Sequence, residues 1–149
     1  TGLRSYPVRY AHLDEIDGDI WTIPGEKMKG RKGKTSDFRL PLTPEALHVI
    51  KLASQQQRDG QIFPGVKRGV ISDASMARLM ERRGLEARPH GFRSTLRVWL
   101  TESQQASREV AETIIAHQTG SLTERAYNRT DFLEQRRELM EAWKRFLRA

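Results

Sequence analysis

The chain is 149 residues long, 37% hydrophobic and 30% charged, with a formal net charge of +7 and a sequence pI of about 10.1. Cysteine is absent, which excludes a disulfide framework and any thiolate metal site. No apolar run approaches the ~18 residues that a membrane span requires. A domain of this size buries roughly two-thirds of its unfolded surface. A balance this basic points to a polyanionic partner, most often nucleic acid.

Taken in order, residues 1–10 read as a turn and a short polar segment, with Gly2 suited to a positive φ. The opening Thr1-Gly2-Leu3-Arg4 lacks a Met and is expected to be part of a longer protein. No signal peptide opens it. Leu13 to Asp17 and Ile20 to Ile23 read as two short strands joined by a tight turn at Gly18-Asp19. Residues 27–39 carry six cations, Lys27, Lys29, Arg31, Lys32, Lys34 and Arg39, against Asp37 alone. This segment is either a solvated hairpin tip or a basic finger for a phosphate backbone. Phe38 to Leu42 alternates as a third strand, with Pro41 marking an edge or an end.

The remainder reads as helical. Thr43-Pro44-Glu45 supplies an N-cap, a proline at N1 and a first-turn acid for a helix running to about Gln57. Ser72 or Asp73 caps the next, to about Arg83, with Met76, Leu79 and Met80 inward and Gly84 as its stop. A helix from about His90 to Glu102 carries Phe92, Leu96, Trp99 and Leu100 as its apolar stripe. Ser107 caps a helix with Val110, Ile114 and Ile115, and His117 lies at its end. Gly120 breaks the pattern; Ser121-Leu122-Thr123-Glu124 matches a capping box for a short helix bearing Tyr127. Asp131 with Glu134 repeats that signal for a last helix with Phe132, Leu139, Met140, Trp143, Phe146 and Leu147 as its stripe. The reading is an α+β domain, mostly helical, with a three-stranded antiparallel sheet at one edge.

Residues 89–127 hold the side chains with the most suggestive chemistry: His90, Arg93, His117 and Tyr127. Each alone has a bland explanation, as a helix cap, a solvated charge or a packed ring. As a set they suit phosphate chemistry. Arg presents a planar fork that matches phosphate oxygens, His donates hydrogen bonds or carries protons near neutral pH, and Tyr can be a covalent nucleophile. His90 and Arg93 share a face at the positive end of their helix, which favours an anion.

Thr1-Gly2-Leu3-Arg4, Met28-Lys29, Leu40-Pro41-Leu42, His90-Gly91-Phe92-Arg93, Ile115-Ala116-His117 and Ala126-Tyr127-Asn128-Arg129 occur in an order that resembles the catalytic domain of tyrosine recombinases. More closely, the chain looks like prophage and genomic-island integrases. Arg136 to Met140 with Trp143 resembles the tail of that group. The resemblance covers nearly the whole chain. It implies the DNA breaking-rejoining fold and site-specific recombination for integration or excision. By the same resemblance, Arg4 and Arg93 clamp the scissile phosphate. His90 hydrogen-bonds the phosphate or manages the nucleophile's proton, and His117 binds a non-bridging oxygen. Lys29 protonates the leaving 5′ oxygen, with Lys27 and Lys32 as alternatives, and Tyr127 is the nucleophile. Lys27, Arg31, Lys32 and Lys34 would lie on DNA.

No cofactor is implied, because arginines, a lysine and histidines can supply the charge stabilisation that a metal supplies elsewhere. The expected partners are double-stranded DNA at attachment sites, further copies of the chain in a tetramer, and accessory DNA-bending proteins, in the bacterial cytoplasm at the nucleoid. The family's upstream DNA-binding domains are expected outside residues 1–149. One departure stands out: Tyr6-Pro7 occupies the place where related integrases carry Gly-Glu. Type IB topoisomerases share this set of residues, so supercoil relaxation is the alternative activity. An idle DNA-binding or assembly domain is the non-enzymatic alternative.

Overall fold

The computed structural model describes residues 1–30, 33–117 and 130–148. Among them are six helices, α1 (Ser5–Arg9), α2 (Pro44–Ser54), α3 (Ser75–Arg82), α4 (Pro89–Glu102), α5 (Arg108–Ile114) and α6 (Leu133–Phe146), and a small sheet of β1 (Ile16–Asp17), β2 (Ile20–Ile23) and β3 (Phe38–Pro41). The sheet is antiparallel in the order β1-β2-β3, with Ile16 opposite Trp21 and Trp21 opposite Leu40. The α+β architecture matches the expectation. None of the helices is long and apolar enough to cross a membrane among the described residues.

Two cores result. Alternation along β2 sends Trp21 and Ile23 inward and leaves Thr22 outside, and these pack with Ala11, Leu40, Leu42 and Ile62. The second core joins three helices, through Leu96, Trp99 and Leu100 of α4, Val110, Ala111 and Ile114 of α5, and Met140 and Trp143 of α6. Helix α6 also ties the cores together. Its buried Arg136 donates through Nη2 to the Arg39 carbonyl on β3 and lies 4.9 Å over the Phe38 ring.

Several local expectations yield to tertiary contacts. Residues 5–9 are helical, not irregular. Tyr6 packs on Tyr10 with ring centroids 4.5 Å apart, and Asp73 accepts from Ser5 Oγ at 2.8 Å and pairs with Arg9 at 3.2 Å. That use of Asp73 explains why it does not cap α3, whose N-cap position is Ala74. The first strand is shorter than expected because Leu13–Glu15 forms a 3₁₀ turn capped by His12, and α2 stops at Ser54. Asp131 is not the cap of α6: its carboxylate pairs with Arg39 at 2.8 Å, and Phe132 takes the N-cap position with φ of 53°. Exposed Leu79, Phe92, Phe146 and Leu147 depart from their expected stripes. In α4 the inward place expected for Phe92 belongs to Arg93.

These differences set the energetic weights. Leu100 is fully buried between three helices. Leu100→Ala is expected to lower unfolding free energy by about 2–5 kcal/mol, whereas Leu79→Ala on the exposed side of α3 is expected to change it by less than about 0.5 kcal/mol. Urea unfolding of the two variants checks the contrast.

Candidate active site

Arg93 lies one turn into α4, where Pro89 starts the helix and no acid occupies the first turn. Its side chain is buried, and Nη1 donates to the Gly2 carbonyl at 2.6 Å. Gly2 adopts φ of +67°, and a Cβ there would meet Leu96 Cδ2 at 2.6 Å. The glycine therefore serves both the left-handed turn and the close approach of the chain to α4. That approach delivers Arg4, the N-cap residue of α1. Arg4 Nη1 reaches the Ala116 carbonyl at 3.4 Å, next to His117. Three distant parts of the sequence thus converge: the first four residues, the start of α4 and the end of α5.

The end of α5 is built by backbone geometry. Ala116 has φ of 49°; its N–H donates to Thr113 O at 2.8 Å and the His117 N–H to Glu112 O at 2.8 Å. These two bonds form a Schellman closure, with alanine where glycine is usual. The closure folds His117 back over Glu112, so that Nδ1 lies 2.5 Å from Oε2. The other carboxylate oxygen, Oε1, takes Arg97 Nε and Nη2, each at 2.7 Å. Glu112 is only 5% exposed.

Charge in this group is unevenly distributed. Burial pushes the Arg93 guanidinium down to about 10; the positive charge of Arg4 acts in the same direction, and Glu112 opposes both. Arg93 remains protonated at neutral pH, beside a like charge. For Glu112, burial raises the carboxyl. Hydrogen bonds from His117 and Arg97, with their charges, outweigh that effect and leave it below the ordinary 4.5.

The other sequence candidates occupy different places. His90 is exposed at the second position of α4, one turn before Arg93. Lys29 and Lys34 are exposed on the segment between β2 and β3. Lys27 is turned inward: Nζ donates to Tyr10 O at 2.6 Å and pairs with Glu15. Arg31, Lys32 and Tyr127 lie outside the described residues. Glu112 joins the candidate residues only through the structure. Its signal is a single carboxylate inside the apolar run Val110 to Ile115, five residues ahead of a histidine.

Residues 1–134 match the model of the Phage integrase family. The chain belongs to that family. Prophage integrase IntA of Escherichia coli (strain K12) is 32% identical over 146 residues, covering 93% of this chain and 34% of that protein. Prophage integrase IntZ of the same strain is 30% identical over 150 residues, covering 95% and 35% respectively. The solved integrase from mycobacterium phage Brujita has a TM-score of 0.63 at 26% identity, over 91% of this chain and 45% of that one. This integrase-family chain spans about a third of the length of the two prophage integrases.

The Glu112 ion pairs give a pH signature. A carboxyl depressed in the folded state contributes stability that is full above its unfolded value and is lost as pH falls through its folded value. Glu112→Gln is expected to cost about 1.5–3 kcal/mol at neutral pH. The difference from wild type should shrink on acidification below about pH 4.5, as read by urea titrations across the acid range.

Proposed function

We propose that the chain is the catalytic part of a site-specific DNA recombinase that integrates or excises a prophage or genomic island. The observation that carries this reading is the convergence of Arg4, Arg93 and His117 in a member of the phage integrase family. Two guanidinium groups held close together, one of them buried, suit a phosphodiester. An anion there offsets their mutual repulsion and gains charge-assisted hydrogen bonds.

In this reading Arg4 and Arg93 bind the non-bridging oxygens of the scissile phosphate and stabilise the added charge of the pentavalent transition state. His117 donates to one of those oxygens. His90, at the open first turn of α4, hydrogen-bonds the phosphate or takes the nucleophile's proton. Tyr127 attacks phosphorus, a 3′-phosphotyrosyl bond forms, and the bond to the 5′ oxygen breaks. Lys29 protonates that oxygen as it leaves. Its exposed ammonium supports this choice over Lys27, whose Nζ is engaged by Tyr10 and Glu15. One phosphoester replaces another, so a 5′ hydroxyl from a partner strand reverses the step without nucleotide hydrolysis. Lys34, with Arg31 and Lys32, contributes to the basic segment along the DNA backbone, whereas Lys27 is taken up by Tyr10 and Glu15. Copies of the chain assemble on paired attachment sites, with accessory DNA-bending proteins, in the cytoplasm.

A duplex with a nick near the cleavage site traps the covalent intermediate. The complete gene product is expected to form a protein–DNA adduct that Tyr127→Phe abolishes. An adduct that persists in Tyr127→Phe removes the nucleophile assignment, and the absence of any wild-type adduct favours an idle binding domain. Supercoil relaxation without a recombinant product indicates a topoisomerase. The Lys29 role has its own readout. Lys29→Ala should slow cleavage of the natural ester by about 100-fold or more and recover on a 5′-thiol leaving group, which needs no proton. Equal loss on both substrates would assign Lys29 to binding.

A further inference from the structure

We infer that Glu112 is the positioning residue of this site, acting through His117; the inference rests on the recombinase reading above. The carboxylate is buried and divided. Oε1 is held by the Arg97 fork at 2.7 Å, and Oε2 faces His117 Nδ1 at 2.5 Å. Arg97 fixes the carboxylate, the carboxylate fixes the ring by one nitrogen, and Nε2 is left on the far side of the ring as the nitrogen available to a ligand. With Nδ1 donating to Glu112, Nε2 can donate to a phosphate oxygen only when the ring carries both protons. Glu112 is the counter-charge to that doubly protonated form.

Three features separate this arrangement from an ordinary surface ion pair. Glu112 is 5% exposed, although the His117 side chain is 55% exposed. A carboxylate this deep needs partners on both oxygens to offset its desolvation, and it has them. The Schellman bond from the His117 N–H to the Glu112 carbonyl, 2.8 Å, joins the same two residues a second time through the backbone. The flanking Val110, Ala111 and Ile114 sit in the helical core, so the carboxylate cannot withdraw without disturbing α5. It is thus a carboxylate addressed to one candidate phosphate ligand, His117, without itself facing solvent.

The test is a double-mutant cycle on covalent adduct formation by the complete gene product, using Glu112→Gln, His117→Ala and the pair. Glutamine keeps the size and an acceptor but removes the charge. Glu112→Gln is expected to slow adduct formation about tenfold, with DNA affinity unchanged. The double variant should be no slower than His117→Ala, because the effect of Glu112 passes through a ring already removed. If the two losses multiply, or if Glu112→Gln cleaves at the wild-type rate, the inference is overturned. A second measurement does not depend on cleavage. The ¹⁵N signals of His117 in the wild-type protein should show a protonated Nδ1, bonded to the carboxylate, that changes in Glu112→Gln. An unprotonated wild-type Nδ1 overturns the pairing even if the variant fails to fold. Absence of a wild-type adduct overturns the recombinase reading, and the ¹⁵N spectrum then decides the Glu112–His117 pairing by itself.

Discussion

The hydrogen bond from the Arg93 side chain to the Gly2 carbonyl, 2.6 Å long and spanning 91 positions of sequence, is the contact on which the site depends. It does two things at once. It satisfies one donor of a buried guanidinium, which would otherwise face the full cost of burial unpaired. It also pins the first residues of the chain to α4, and so fixes where Arg4 emerges. The Arg4 bond to Ala116 O carries the same organisation on to the end of α5. A long-range bond from a side chain to the backbone forms here because Gly2 has no side chain to collide with Leu96. Sterics at one glycine thereby set the spacing of two arginines.

The second recurring device is the buried or half-buried charge that ties elements together. Arg136 has less than 2% exposure and reaches the Arg39 carbonyl, the Phe38 ring face and, at 3.8 Å, Asp131. Burial pushes it down to about 10, with Asp131 opposing and Arg39 adding to the shift. Among the described residues its Nε and Nη1 have no hydrogen-bond partner. Such a group is an expensive way to gain stability. Its effect is to fix the register of α6 against β3, the strand that follows the basic segment. The same logic applies at Glu112, where both oxygens are matched and one partner is a candidate phosphate ligand. In both places a charge specifies an arrangement that apolar packing alone would leave free to slide.

How much of this was legible in the sequence depends on the range of the interaction involved. Strand β2, the Thr43-Pro44 helix start, the Ser107 cap and the bounds of α4 follow from local rules, and all appear in the structure. The misses share a cause. Asp73 and Asp131 looked like helix caps because the local pattern fits. Both carboxylates are instead used by arginines far away in sequence, Arg9 and Arg39. Helical periodicity placed Phe92 inward, but adjacent Arg93 takes the buried side because the Gly2 carbonyl waits there. The order of Arg4, His90, Arg93 and His117 was readable from family resemblance. Their mutual geometry was not, since it passes through a glycine carbonyl and an alanine in a left-handed turn. Glu112 is not legible in the sequence, because a carboxylate in an apolar run gains meaning only once its partners, Arg97 and His117, are known.

The charge balance of the site follows from these contacts. Arg97 and His117 hold the buried Glu112 carboxylate directly, and Glu112 reaches Arg93 only through its charge. A direct pair with Arg93 would neutralise that guanidinium. Arg97 instead takes Oε1 with two donors, and His117 takes Oε2. Side chains braced in this way are held in place by the protein's own contacts. Such a site loses little reorganisation energy on binding, which is the condition for fixed charges to favour a transition state over water. One carboxylate suffices for this bracing because His117, Arg97 and the backbone turn all converge on Glu112.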